Sequence, residues 1–260
     1  MNKRTALGYK IHKAYNTILQ KENSILHYNF YAYSLLQLET FLHKNGMIDE
    51  VLENSGINKT DLNFTKEKLI SYNRTFSDVN NELTFKAYFQ MFEEFIFQVF
   101  TCLYSTYPIF LKKDNLKFDL AYENIFSTSN INEIQNLIIE NRVKRTIQSN
   151  NISNTLQKFK KVFGFDVNID DKDFRNIILA SLHRNILTHN NGIVNRIYLQ
   201  EITFHNLSKK YNLGDCIFPQ LNDHIETLQN TVNNISTSIF DSISDNLTQI
   251  DKYASNLEKN

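Results

Sequence analysis

Glycine and proline are scarce in this sequence, with 6 glycines and 2 prolines among 260 residues. Sandwiches and barrels made of many short strands need turn-forming residues at frequent intervals, whereas long helices need few. Hydrophobic residues make up 42% of the chain and aromatic residues 13%, which is enough to bury a core without disulfides. We therefore predict an all-α protein.

The charges of the chain balance. Lysine and arginine together number 28, as do aspartate and glutamate, so the formal net charge is +0. Such a protein does not bind nucleic acid through its overall field, and any contact with RNA must come from a local basic patch. The two cysteines, Cys102 and Cys216, are too few for a disulfide framework or a zinc site, which fits a reducing compartment.

The sequence carries no signal for a membrane or for export. Its most apolar stretch, residues 95–110, is interrupted by polar side chains and is too short to span a bilayer. The first five residues, MNKRT, lack the apolar run of a signal peptide. We therefore predict a cytoplasmic protein that contacts no membrane.

The first eighty residues are predicted to form several helices. Apolar residues recur at helical spacing over 11–19 and 24–44, and the pattern over 47–70 indicates short helices. The polar stretch 73–81 is the best candidate for an internal linker, and a loop within one domain is the alternative. We divide the chain accordingly into an N-terminal helical region of unknown role, residues 1–80, and a helical domain, residues 81–260.

The strongest helix of the first half is predicted over residues 83–107. Apolar and mostly aromatic side chains line most of its circumference, so this helix should lie at the centre of the fold. Glu93 and Glu94 stand in the middle of it. Adjacent residues on a helix point about 100° apart, so we expect one of the two carboxylates to face inward.

Further helices are predicted in the second half. Amphipathic patterns cover residues 131–145 and 153–163, and Asp170 or Asp171 can cap another helix that ends near residue 189. The stretch after Gly192 is expected to be irregular. From residue 221 to 250, apolar side chains alternate in steps of three and four, which predicts a long helix whose narrow seam suits a bundle or another subunit.

Residues 184–192, Arg-Asn-Ile-Leu-Thr-His-Asn-Asn-Gly, close an apolar helix with groups that suit RNA cleavage. Arginine stays charged and can fork onto a phosphate, and histidine is the side chain whose ordinary pKa suits proton transfer near neutrality. Asn185 and His189 lie four residues apart and share a helix face, whereas Arg184 projects about 140° away from His189. A second subunit that supplies its own arginine would remove this mismatch.

Arg184, Asn185 and His189 resemble the Arg-polar-x-x-x-His motif of the HEPN superfamily of α-helical ribonucleases. The resemblance extends over about residues 83–247. The wider features that are similar are the aromatic helix with Glu93, the Tyr107-Pro108 pair at its end, and the Gly214-Asp215 pair before a long helix. Residues before about position 80 match no family pattern that we identify.

The resemblance implies a homodimeric endoribonuclease that needs neither metal nor cofactor, with the two motifs facing each other across the dimer. His189 would move a proton from the ribose 2′-hydroxyl or to the leaving 5′-oxygen, and Arg184 would offset charge on the transition state. Asn185 would orient the imidazole or the phosphate. Family members commonly act as toxins or in antiviral defence, which implies an RNA substrate and an antitoxin or sensor protein as a further partner.

Two further residues are predicted to support this site. Glu93 could hold Arg184 or His189, because a carboxylate among aromatic residues needs a partner, but it could equally face solvent. Asn190 would support the site from the end of the helix. His189 could instead be a histidine with a purely structural role near the helix C-terminus, and Arg184 half of a surface ion pair.

Local positive charge is available from several basic residues. As RNA-binding candidates we take Lys158, Lys160, Lys161, Arg175 and Arg196. Each of them could equally belong to a solvated helix face.

Other chemistries have little support in the sequence. It holds no glycine-rich phosphate loop, no paired metal-binding histidines and no nucleophile elbow. Two rival functions stay open: a non-catalytic HEPN-like module that binds RNA or a protein, and a helical scaffold assembled through the C-terminal seam.

Overall fold

The computed structural model describes residues 2–47, 50, 54, 66–113, 130–149, 152–208 and 210–259. In these ranges all the regular elements are helices, and one isolated antiparallel bridge joins Ile193 to Cys216. The fold is therefore all-α. The helices in chain order are α1 (Lys3–Lys44), α2 (Lys66–Thr106), α3 (Phe110–Lys113), α4 (Ile131–Ser149), α5 (Ile152–Lys161), α6 (Asp171–His189), α7 (Arg196–Phe204) and α8 (Leu221–Lys259), with a 3-10 turn at Phe218–Gln220.

Helices α1, α2 and α8 pack against one another and form the centre of the fold. Phe92 and Phe100 of α2 are fully buried, as the aromatic pattern predicts. The Phe100 ring lies 5.1 Å from the Phe159 ring of α5 in an edge-on contact, an arrangement that aromatic rings favour. None of the described helices combines the length and the apolarity that crossing a membrane requires.

The first two predicted helices are one continuous helix, α1. Its residues Leu7, Ile11, Ala14 and Ile18 belong to the same hydrophobic core as α2 and α8. Packing of this first part stabilises the helix there, because tertiary contacts supply most helical stability in proteins.

The prediction of a linker over residues 73–81 is wrong, since α2 passes through this stretch without a break. Asn80 and Asn81 are buried there, and Thr84 donates a hydrogen bond of 2.6 Å to Asn29 Oδ1 of α1. Packing against α1 outweighs the low helix propensity of these polar residues. The boundary drawn at residue 80 therefore falls inside one helix, and most of residues 47–70 lie outside the described part of the chain.

Helix α6 begins and ends where the sequence predicts. The Asp170 carboxylate accepts a hydrogen bond of 2.7 Å from the Lys172 backbone N–H, which caps the N-terminus. At the other end the N–H groups of Asn190 and Gly192 both donate to the Ile186 carbonyl, at 2.9 and 3.0 Å. Gly192 has a φ of 71°, the left-handed conformation typical of a residue that follows a helix.

We predicted that the stretch after Gly192 is irregular. The structure shows that part of it forms the helix α7. The side chain of Asn195 accepts a hydrogen bond of 2.9 Å from the Tyr198 backbone N–H and so caps this helix. Tyr198 and Ile202 are buried and hold α7 in place. The short length of α7 and its mixed polarity hide its periodicity in the sequence.

The apolar seam of α8 is buried within the chain. Leu228, Val232, Ile235 and Ile239 are each at most 1% exposed and belong to the common core. Of the two packing partners that the seam pattern allows, the structure shows the bundle, because α8 packs on α1, α2 and α6.

Candidate functional site

Arg184 lies in the last part of α6 and meets α2. Its Nη2 is 3.4 Å from Glu93 Oε2, and its Nη1 donates to Asn185 Oδ1 at 3.3 Å. The guanidinium carbon is 5.8 Å from the centre of the Phe89 ring, within the range of a cation–π contact. These three neighbours fix the direction of a long side chain that is itself 37% exposed.

The Glu93 carboxyl is the inward-facing acid of the predicted pair. Burial raises the pKa of Glu93, and the charge of Arg184 lowers it by a smaller amount, so the pKa lies above its ordinary value. Glu94 on the next position points elsewhere and pairs with Lys21 of α1. Two adjacent carboxylates thus have different surroundings, as the helix geometry requires.

A pocket of about 630 Å³ opens beside this pair. Its size falls in the range of small-molecule sites. Its lining contains both polar or charged residues, namely Glu93, Thr155, Ser181, Arg184, Asn185, Glu201 and His205, and apolar residues, namely Phe89, Ile96, Ile147, Ile152, Ile178, Leu182 and Ile197. Three of the predicted site residues, Glu93, Arg184 and Asn185, therefore meet at one cavity.

His189 does not line this pocket. It is the last residue of α6, it is exposed, and none of the described residues donates to its ring or accepts from it. Asn190 follows it as the helix cap, and its side chain donates to the Ile193 carbonyl. Within one chain, the predicted arginine and histidine thus sit in different surroundings.

The predicted RNA-binding residues also lie outside the lining of the pocket. Lys160 is 3.0 Å from Asp166, and Lys161 donates to Gln157 at 2.7 Å. Lys158 Nζ lies 3.5 Å from Thr146 Oγ1. Burial and the nearby charge of Arg142 lower the pKa of Lys158 to about 8. Arg175 of α6 and Arg196 of α7 are exposed.

Two pocket residues escaped the sequence analysis. Glu201 and His205 belong to α7 and its C-cap, and His205 Nε2 lies 3.5 Å from Glu201 Oε2. Their spacing of four residues is the signal that could have identified them, because residues four apart share a helix face. It was overlooked because α7 itself was not predicted.

A separate cluster of buried rings joins α6, α7 and α8. His183 Nε2 is 3.0 Å from the Tyr198 hydroxyl, and His224 Nε2 is 2.7 Å from the Tyr211 hydroxyl. The two imidazole rings lie 4.3 Å apart. Burial lowers the pKa of His183 well below its ordinary value and that of His224 to about 4, so both rings are neutral at pH 7.

The described residues contain no group of three or more histidine, cysteine, aspartate or glutamate side chains placed to hold a metal ion. Comparison of the chain with protein-family models, with curated proteins and with solved structures found no match.

Proposed function

We propose that this chain is an endoribonuclease of the HEPN type that cleaves RNA without a metal ion. The observation that carries the proposal is the fixed position of Arg184, which is held by Glu93 and Asn185 at a pocket of about 630 Å³. A guanidinium has five N–H donors, so two acceptors leave donors for a phosphate. The apolar side chains in the lining offer contacts for a base or a ribose.

The chemistry follows from these groups. The ribose 2′-oxygen loses its proton and forms a bond to the adjacent phosphorus, and the bond from phosphorus to the 5′-oxygen breaks. The leaving oxygen takes up a proton, and the products are a 2′,3′-cyclic phosphate and a 5′-hydroxyl. Arg184 offsets the negative charge that builds up on the phosphorane, and His189 takes the proton of the 2′-hydroxyl. DNA lacks the 2′-hydroxyl and is not cleaved.

A homodimer completes the site in this proposal. Because His189 lies outside the pocket that Arg184 lines, the histidine of one protomer would serve the arginine of the other. The resemblance to the HEPN superfamily supports this arrangement. It also supports a role as a toxin or an antiphage effector in the cytoplasm, restrained or triggered by an antitoxin or a sensor protein.

The test is cleavage of total RNA by the purified protein and three variants. Arg184→Ala and His189→Ala should each abolish the fragments with cyclic phosphate ends. Lys172→Ala removes a cation that lies about 18 Å from Arg184 along α6, and this variant should still produce those fragments. Intact RNA with the wild-type protein under every condition would rule out the enzyme. Binding without cleavage would then favour a non-catalytic RNA-binding module.

A further inference from the structure

Helix α7 and its C-cap bring a histidine, His205, to the pocket. Ile197, Glu201 and His205 lie at intervals of four residues, which places them along one face, and all three line the cavity that Arg184 and Glu93 also line. Arg184 and His205 are twenty-one positions apart in the sequence, so no local sequence pattern predicts that both line one pocket. The pocket thus holds a guanidinium and an imidazole from the same chain.

The His205 ring is held on two sides. Its Nε2 faces the Glu201 carboxylate at 3.5 Å, and the neighbouring Phe204 ring packs edge-on at 4.9 Å. The side chain of His205 is 12% exposed, whereas His189 is an exposed residue. A carboxylate that contacts one ring nitrogen orients an imidazole and leaves the other nitrogen, here Nδ1, for a substrate.

RNA cleavage by 2′-hydroxyl attack moves two protons, one from the attacking oxygen and one to the leaving oxygen. Enzymes that use one group for each step need a base and an acid in reach of the same phosphate. The proposed function assigns one histidine, His189, to the first proton. The second proton has no carrier in that assignment.

We propose that His205, oriented by Glu201, is the general acid of this site and protonates the leaving 5′-oxygen. The inference rests on the proposed endoribonuclease. As the bond from phosphorus to the 5′-oxygen breaks, the imidazolium of His205 gives its proton to that oxygen and becomes neutral. His189 meanwhile takes the proton of the 2′-hydroxyl, so protons and charge balance over the step. Exchange with water restores both rings.

A leaving group that needs no proton tests the assignment. We compare an RNA oligonucleotide with the same oligonucleotide carrying sulfur in place of the 5′-oxygen at each linkage, because a thiolate leaves readily without protonation. His205→Gln should lower kcat on the oxygen substrate by about 100-fold or more and leave kcat on the sulfur substrate within about threefold of wild type. His189→Gln should lower both rates.

Two variants complete the experiment. Glu201→Gln should lower kcat on the oxygen substrate by about tenfold and leave the rate on the sulfur substrate unchanged, as expected of a positioning residue. His27→Gln, which removes an exposed histidine of α1, should leave both rates unchanged. Thermal unfolding of each variant shows that it is folded.

Each result decides the assignment. If His205→Gln lowers kcat on both substrates equally, or on neither, His205 is not the general acid. The proposed endoribonuclease activity is not contradicted by that result. If the wild-type protein cleaves neither substrate, the proposed function fails and the assignment falls with it. If His205→Gln has a low kcat on the oxygen substrate and a wild-type kcat on the sulfur substrate, the result supports both the proposed function and the assignment of His205.

Discussion

The Arg184 guanidinium lies 3.4 Å from the Glu93 carboxylate, and these two residues are 91 positions apart in the sequence. Their contact joins α6 to α2 at the edge of the pocket. The Arg184 side chain is 37% exposed and the Glu93 side chain 25% exposed, so water screens their attraction. The net contribution of this ion pair to the free energy of unfolding is therefore at most about 1 kcal/mol. The main effect of this ion pair is that it orients the Arg184 side chain at the pocket.

Replacing Glu93 by glutamine should separate charge from position. Glu93→Gln removes a negative charge beside the proposed phosphate site but keeps an oxygen for Arg184. If the proposed function holds, we expect a lower KM for RNA and a kcat within about threefold of wild type. Glu93→Ala removes the acceptor as well and should lower kcat by about tenfold or more. Steady-state kinetics on one RNA oligonucleotide measures both. An equal loss of kcat in the two variants would contradict this account.

Mixing two inactive variants should restore cleavage if the site is shared across a dimer. A dimer of one Arg184→Ala chain and one His189→Ala chain contains one site with both groups intact. Random mixing makes about half of the dimers mixed, so we expect about a quarter of the wild-type rate. The measurement is the initial rate after the two proteins have been unfolded together and refolded. No recovery in a mixture that contains mixed dimers would place arginine and histidine in one protomer.

The two buried imidazoles should make the protein sensitive to acid. Burial lowers the pKa of His224 to about 4, and that of His183 is also lowered, whereas an unfolded histidine titrates near 6.5. Below pH 6.5 the unfolded chain therefore binds protons that the folded chain does not. The stability that is fully present above this pH is lost as the pH falls towards 4.

From pH 7.5 to pH 5 the loss due to His224 alone is about 2 kcal/mol. The charge of Lys210 also lowers the pKa of His224, whereas the charge of Asp223 raises it. His224→Gln keeps a hydrogen-bonding partner for Tyr211 but does not titrate, so its free energy of unfolding should fall less over the same range. Urea denaturation at the two pH values gives the comparison. The same pH dependence in variant and wild type would show that His224 is not the group responsible.

Gly192 should tolerate no side chain. Its φ is 71°, and an added Cβ would lie 2.8 Å from Cε2 of the Phe218 ring, so Gly192→Ala meets both backbone strain and a clash. We expect a loss of about 2–4 kcal/mol in the free energy of unfolding. Gly214→Ala is the matched control, because φ is 87° there and nothing lies within 4 Å of the added atom. It should cost about 1–2 kcal/mol. Equal costs at the two positions would show that Phe218 moves aside freely.

Much of the fold follows from local patterns. The aromatic surface of α2, the cap at Asp170, the helix end at Gly192 and the buried seam of α8 all depend on residues a few positions apart. The predicted linker over residues 73–81 is wrong, and the stretch after Gly192 that we predicted to be irregular contains the helix α7. Both segments are helical because distant parts of the chain pack against them, which local propensity does not indicate.

The sequence by itself determined an all-α chain and the arginine, asparagine and histidine that close α6, because helical periodicity and end signals are local. Only the tertiary structure decided that Glu93 rather than Glu94 meets Arg184, and that His205 rather than His189 of the same chain lines their pocket. A pocket is made by side chains from several helices. Which of them meet depends on how the helices pack, and no spacing within one helix encodes that.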